Sequence, residues 1–230
     1  MNFSVISDNL DYLLIGAWPD GPIGGLALTL VLSVLSAVGS ALLGLALGIG
    51  LTMGGRRVRM ALVVVLGFFR AIPVIMLIFW TYFLLPILFG VSAPEIGTVA
   101  MALMLIGGAY LAYAVAAGIE SVGKGQWEAG LALGFGRWHI LGLVVLPQAM
   151  RTMAPSFVNQ WTSLIKDTSL AYVIGVPELS FVATQVNNRA MVHPTEVFLF
   201  VGVVYWCLCA GLDRLATHLA LKGGVTADFK

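Results

Sequence analysis

The sequence predicts an all-α integral membrane protein that crosses the membrane several times. Of its 230 residues, 60% are hydrophobic and only 10% are charged, and the mean hydropathy of +0.98 lies far above that of an ordinary soluble domain. The apolar runs are long and unbroken, which is typical of membrane-spanning helices and unlike the alternating strands of a barrel. Since only helices and closed barrels satisfy all backbone polar groups in lipid, we expect helices.

Five apolar runs are long enough to cross, so we predict five transmembrane helices. These runs are 23–53, about 60–88, the stretch between Glu95 and Glu120, 154–177, and the stretch between Glu196 and Asp213. In the second run, Pro73 lacks the N–H of a helical hydrogen bond and predicts a kink.

The distribution of Lys and Arg predicts the orientation. Basic residues concentrate in the first and third connections and at the C-terminus: Arg56, Arg57, Arg59, Lys124, Arg137, Arg151, Arg214, Lys222 and Lys230. Because short basic loops favour the cytoplasm, we expect an external (periplasmic) N-terminal leader over 1–22 and one membrane domain over 23–221. The segment at about 121–154 of that domain, and the tail 222–230 that follows the domain, are expected in the cytoplasm.

Small residues form stripes at helical spacing on the first and third spans. The stripes consist of Ser36, Ser40, Gly44 and Gly48, and of Gly108, Ala112 and Ala116. Small side chains let helices approach closely in lipid, so we predict that both stripes pack within one bundle.

The segment 121–154 is too apolar for a free loop and too interrupted to cross the membrane. Trp127, Leu131 and Phe135 recur at every fourth position and predict a short amphipathic helix that ends at Gly134 or Gly136. A helix of two turns is marginal alone, so it requires a docking surface. The alternative is an interfacial helix that lies on the bilayer.

This segment resembles the EAA loop of bacterial ABC importer permeases. The family pattern is E-A-A, three residues, G, nine residues, I, one residue, L-P. The matching positions here are Glu128, Ala129, Gly130, Gly134, Val144, Leu146 and Pro147. The spacing is intact, with Gly130 in place of the second alanine and Val144 in place of isoleucine.

The resemblance covers nearly the whole chain and is closest to the polar amino acid subfamily, through "FFRAIPVIMLIFWTYFLLP" and "LIKDTSLAYVIGVPEL". It implies a type I importer permease in the bacterial inner membrane. Its implied partners are a cytoplasmic ABC ATPase dimer, a second permease chain and a periplasmic amino-acid-binding protein. The resemblance also implies that the EAA loop forms a coupling helix in a groove of the ATPase, with Glu128, Ala129, Gly130, Gly134 and Pro147 as candidate coupling residues.

We expect no cofactor, no metal and no catalytic site on this chain. The phosphate-binding pattern G-x-x-x-x-G-K-[ST] does not occur in the sequence. ATP and Mg²⁺ are therefore expected on the partner ATPase, and the chain is expected to be a transport subunit and not an enzyme.

Charged residues within spans are costly and usually face a partner or a wet cavity. Lys166 and Asp167 are candidates to meet a substrate carboxylate and ammonium, helped by Thr168 and Ser169, although both charges could instead pair with other spans. Arg70 is a further pathway candidate that could also snorkel or pair internally.

The third span departs from the family pattern, which reads A-Y-x-A-E followed by an arginine. This chain has Tyr110, Tyr113 and Ala117, so two expected charges are missing. Either substrate contacts lie mainly on a partner permease, or the specificity has shifted.

One other class of function stays open at this point. An ion-coupled carrier or channel subunit could use Lys166, Asp167 and Arg70 to gate a pathway. Binding of the 126–136 helix to an ATPase would discriminate an ABC importer permease from a carrier or channel subunit.

Overall fold

The computed structural model describes residues 4–92, 94–190 and 194–222, in which helices and turns occur without a β-strand. The predicted tail therefore lies outside the described residues beyond Lys222. The α-helices are α1 (Ser4–Asp8), α2 (Leu10–Ile15), α3 (Gly25–Met53), α4 (Arg56–Ala71), α5 (Val74–Phe79), α6 (Leu85–Phe89), α7 (Glu95–Ser121), α8 (Lys124–Ala132), α9 (Arg137–Ile140), α10 (Leu146–Asp167), α11 (Leu179–Ala190) and α12 (Pro194–Lys222).

Three helices of the described chain are long and apolar enough to cross a membrane by themselves. They are α3, α7 and the stretch Pro194–Thr217 of α12. At 29 residues, α3 is about 44 Å long, which exceeds the hydrocarbon thickness of about 30 Å. The all-α membrane fold is therefore confirmed, whereas the total of five spans and the orientation of the termini stay predictions.

The second predicted span is a bent pair of helices. α4 and the stretch Val74–Phe89 meet at 103° across a short break. Ile72 has an extended backbone with φ −86° and ψ 135°, which is the conformation that a following proline favours. The kink predicted at Pro73 is confirmed, and it turns the helix axis by 103°.

The close packing of α3 on α7 forms the centre of the bundle. A methyl group added at Gly44 would lie 2.5 Å from Cβ of Leu111, and one added at Gly48 would lie 2.7 Å from the carbonyl oxygen of Ala112. The predicted role of the small-residue stripes in helix packing is confirmed, because no larger side chain fits between the two backbones.

The fourth predicted span, 154–177, is not one continuous α-helix. α9, a π-helical turn over 141–145 and α10 follow one another without a break, and the α-helix ends at Asp167. A 3₁₀ segment, Thr168–Ile174, continues the chain. At this change the hydroxyl groups of Thr168 and Ser169 donate to the carbonyls of Ile165 and Lys166, both over 2.7 Å.

The two ends of the bundle differ in what they carry. We name one of them the Gly25 end, after the first residue of α3. There the N–H of Gly25 donates to the carbonyl of Pro177 over 2.8 Å, so the turn after the 3₁₀ segment is attached to the start of α3. α1 and α2 pack there against α11 and α12. At the other, the Ser121 end, α7 leads into α8. The sequence predicts the Gly25 end as external and the Ser121 end as cytoplasmic.

Candidate functional site

The end of α10 lies near the middle of the bundle. A methyl group added at Gly107 would lie 3.0 Å from Cδ1 of Leu164 and 2.8 Å from Cβ of Ser40. Ser40 and Gly107 are each close to the middle of their own helix. The change from α-helix to 3₁₀ segment, which starts one turn beyond Leu164, is therefore close to the middle of α3 and α7.

This helix break carries the predicted pathway residues. Lys166 is exposed on the surface of the single chain, Asp167 and Ser169 are half-buried, and Thr168 is fully buried. A helix C-terminus carries partial negative charge on its last carbonyls. The break thus presents a cation beside a carboxylate and a negative helix end, an arrangement suited to a ligand with both an ammonium and a carboxylate group.

Arg70 lies at the other break in the bundle, at the end of α4. Its guanidinium carbon is 5.1 Å from the ring centre of Tyr110 and 4.6 Å from that of Tyr113, and the Tyr110 hydroxyl donates to the Arg70 carbonyl over 3.4 Å. These cation–π contacts attract the positive charge to the faces of the two rings. Tyr113 stands where the family pattern has its glutamate, so an aromatic face replaces a carboxylate.

The fold brings the segments after both breaks together. Leu77 and Ile78 of α5 share a buried cluster with Leu164 of α10 and with Ala171 and Ile174 of the 3₁₀ segment. The two interrupted helices therefore meet beside the same part of α7, with Arg70 before one break and Lys166 before the other.

A polar seam that the sequence analysis did not identify joins α10 to α12. The hydroxyl of Thr162 donates to the carboxylate of Asp213 over 3.2 Å, and the thiol of Cys209 donates to the Thr162 carbonyl over 3.9 Å. Tyr205, Cys209 and Asp213 recur at every fourth position of α12. That spacing was visible in the sequence, but taking Asp213 as the end of the fifth span concealed it.

A second missed group, Glu178, is fully buried at the Gly25 end. One carboxylate oxygen accepts the N–H of Phe181 over 2.9 Å, and the other accepts the N–H of Ser180 over 3.0 Å and the hydroxyl of Tyr205 over 2.9 Å. Glu178 thereby caps the N-terminus of α11 and attaches it to α12. Burial raises the pKa of this carboxyl to about 7, although its three donors favour the charged form.

The stability of the protein is expected to depend on pH through Glu178. Between the ordinary pKa of 4.5 and the folded value of about 7, the folded chain binds this proton more tightly than the unfolded chain does. The free energy of unfolding therefore falls as the pH rises through this window. Melting temperatures of the purified complex measured from pH 4.5 to 8 should show this decline, and Glu178→Gln should lack it. An equal decline in both proteins would contradict the assignment.

The short helix predicted in the EAA-like segment is confirmed as α8, and its end has a defined cap. The N–H of Phe135 donates to the Gly130 carbonyl over 3.0 Å, and the N–H of Gly134 donates to the Leu131 carbonyl over 2.9 Å. This pair of hydrogen bonds is a Schellman motif. It requires the left-handed backbone of Gly134, whose φ is +82°, so Gly134 is the glycine that ends the helix.

The EAA positions differ in their accessibility. Glu128, Ala129, Gly134 and Pro147 are exposed, whereas Gly130 is buried. A methyl group added at Gly130 would lie 2.7 Å from Cγ1 of Ile140, which explains glycine in place of the family's alanine. Of the predicted apolar face, only Trp127 is partly buried.

Large apolar side chains are exposed along and after α8. Their exposed fractions are 48% for Leu131, 76% for Leu133, 48% for Phe135 and 65% for Trp138. They lie at the Ser121 end, beside the exposed Glu128 and Ala129, and form a surface that this chain does not itself cover. We name Glu128, Ala129, Leu131, Leu133, Phe135 and Trp138 the α8 surface.

Comparison with known proteins identifies a family for most of the chain. A model of the family described as binding-protein-dependent transport system inner membrane component matches residues 40–222. The chain is similar to the glutamine transport system permease protein GlnP of Escherichia coli (strain K12), with 36% identity over 89% of this chain and 96% of that protein.

Two further similarities agree with this match. The inner membrane amino-acid ABC transporter permease protein YhdY of Escherichia coli (strain K12) is 33% identical over 85% of this chain, which spans 54% of that protein's length. A solved structure, described as an amino acid ABC transporter with histidines, superimposes with a TM-score of 0.76 at 23% identity, covering 86% of this chain and 92% of that one. The solved structure supports the fold alone.

Proposed function

The chain belongs to the family of inner membrane components of binding-protein-dependent transport systems, and from this premise we propose that it is a permease subunit of an ATP-driven importer that moves a polar amino acid into the cytoplasm. The named relatives that it matches over most of its length are amino-acid permeases, which supports this class of substrate.

The open break at the end of α10 is the observation that carries the proposal. Lys166 and Asp167 lie close to the middle of α3 and α7, which are long enough to span the membrane, and Lys166 is exposed on the surface of the single chain. A charged group near the centre of a span does not face lipid without a large cost. We therefore propose that the break faces a wet pathway shared with a second permease chain. In that pathway Lys166 binds the substrate carboxylate and Asp167 binds its ammonium, and Ser169 and Arg70 line the same pathway. Thr168, which was predicted to help bind substrate, is fully buried in the single chain and supports the break from behind.

We propose that the α8 surface contacts the subunit that supplies the energy for transport. Exposed leucine and aromatic side chains beside a carboxylate fit a groove on a soluble protein better than they fit water. We propose that this groove belongs to a cytoplasmic ABC ATPase dimer, which holds ATP and Mg²⁺. A periplasmic amino-acid-binding protein is the proposed partner at the Gly25 end.

The alternative of an ion-coupled carrier or channel subunit is not favoured. The curated relatives of this chain are named as permeases of ABC and import systems. The helix breaks at Pro73 and Thr168 are compatible with either class, so the family membership decides between them.

Reconstitution tests the proposed function directly. The chain, its candidate ATPase, partner permease and binding protein are assembled in liposomes, and ATPase activity is measured with a panel of polar amino acids. Stimulation by at least one amino acid, together with its ATP-dependent uptake, is the expected result. An assembled complex that shows no stimulation over the whole panel would contradict the assigned substrate class.

Charge reversal on the α8 surface should uncouple the transporter. Glu128→Lys is expected to reduce ATP-driven uptake by about tenfold, because a like charge or an unpaired charge at a docking surface weakens the contact. Insertion into the membrane should be unchanged. Glu120→Lys is the matched control, since Glu120 is also an exposed glutamate near the Ser121 end but lies before α8. Equal uptake by the Glu128→Lys variant and the wild type would refute the coupling role.

A further inference from the structure

Tyr205 attaches the end of the chain segment that follows the break in α10. Its hydroxyl donates to Glu178 over 2.9 Å and lies 3.5 Å from the hydroxyl of Ser180. Thr168 is the first residue after α10, and Glu178 is the last residue before α11. α12 also contacts α10 before the break, where its Asp213 and Cys209 side chains hydrogen-bond to Thr162. One helix, α12, therefore bridges the beginning and the end of the segment 168–178, which we name the bridged segment.

The bridged segment depends on its ends because its own hydrogen bonding is weak. A 3₁₀ helix has poorer hydrogen-bond geometry than an α-helix, and this one ends at Gly175, whose φ is +88°. Beyond that point the Pro177 carbonyl accepts the N–H of Gly25, and the N–H of Leu179 donates to the Thr29 hydroxyl over 3.1 Å. The far end is thus attached to α3, and the near end continues α10.

The carboxylate of Glu178 is matched to three donors. The N–H groups of Ser180 and Phe181 and the hydroxyl of Tyr205 all point at its two oxygens. A glutamine keeps the shape of the side chain but offers only one acceptor oxygen, so at least one of these donors would meet an NH₂ group. Glutamine therefore does not reproduce these hydrogen bonds, although it keeps the size of the side chain.

We infer that Glu178 and Tyr205 are positioning residues that hold the bridged segment, and through it Lys166 to Ser169, in the geometry that transport requires. This inference rests on the proposed function, which makes the break in α10 the substrate contact. Neither residue touches substrate in this scheme. Both act through the 3₁₀ segment.

The test measures amino acid transported per ATP hydrolysed in liposomes that contain the full complex. Tyr205→Phe removes only the hydroxyl that donates to Glu178, and Glu178→Gln replaces one acceptor oxygen with an NH₂ group and removes the charge. Both variants are expected to lower the transport ratio by about fivefold to tenfold, as the loss of one ordinary hydrogen bond implies. A role limited to folding would lower uptake and ATPase activity in parallel and leave the ratio unchanged.

Tyr172→Phe is the matched control, because Tyr172 is an exposed tyrosine of the same 3₁₀ segment. Its ratio should equal that of the wild type. Unchanged ratios for Tyr205→Phe and Glu178→Gln, with a lowered ratio for Lys166→Ala, would overturn the inference and leave the proposed function intact. An unchanged ratio for Lys166→Ala as well would overturn the substrate contact at the break and the inference with it. If the Glu178→Gln variant does not assemble, the transport ratio of Tyr205→Phe alone tests the inference. Phenylalanine keeps the aromatic ring and its packing, so this variant is expected to fold.

Discussion

Replacing Lys166 with alanine is expected to reduce ATP-driven amino acid uptake by about a hundredfold. The truncation removes the only Lys or Arg within the predicted span 154–177, and losing the charged partner of a bound carboxylate typically weakens binding by that order. Asp167→Asn should have a similar effect through the substrate ammonium. The measurement is uptake of the stimulating amino acid into liposomes, normalised to the amount of assembled complex.

Lys124→Ala provides the control for this experiment. Lys124 is exposed at the first residue of α8, so its truncation removes a positive charge far from the break. Its uptake should stay within about threefold of the wild type, since surface charges contribute little. Uptake by Lys166→Ala at the level of the Lys124→Ala variant would show that the substrate does not contact Lys166.

The second large effect is expected at the contact between α3 and α7. Gly48→Leu should destabilise the fold by about 3 kcal/mol or more, because overpacking a close contact forces the backbones apart. Even the first side-chain carbon at this position would lie 2.5 Å from Cβ of Val115 and 2.7 Å from the Ala112 carbonyl oxygen. We expect loss of monodisperse protein in detergent. Size-exclusion chromatography and thermal melting measure this loss.

Gly67→Leu separates this steric effect from the general effect of replacing a helical glycine. Gly67 lies within α4, and a methyl group added there meets nothing within 4 Å in the described chain. This variant should fold at the wild-type level, since leucine has the higher helix propensity. If Gly48→Leu were as stable as Gly67→Leu, the contact between the two helices would not be as close as the structure has it.

Much of the candidate site could be predicted from the sequence, but its surroundings could not. The sequence shows Lys166 and Asp167 as charges near the centre of an apolar run, and their role stays a prediction, whereas Gly134 is confirmed as the end of the short helix. For Arg70 the sequence left a pathway role, snorkelling and internal pairing open. The structure places its guanidinium against two aromatic rings of the chain, because Tyr110 and Tyr113 of α7 lie beside the break at Pro73.

Hydropathy does not register changes in backbone conformation within an apolar run. It placed the fourth span over 154–177, but the α-helix ends at Asp167 and a 3₁₀ segment follows. Nor does hydropathy register the burial of Gly130, which depends on Ile140 folding back over α8.

The sequence by itself determined the features that arise from composition and local spacing. These are the all-α membrane class, the small-residue stripes, the change of direction at Pro73 and the capped helix of the EAA-like segment, each of which is set by residues a few positions apart. Only the tertiary structure decided where along α3 and α7 the break in α10 lies, which rings contact Arg70 and how Glu178 meets Tyr205. These contacts join residues that are far apart in the chain, and they exist only where the packing of α3, α7 and α12 brings them within a few ångströms.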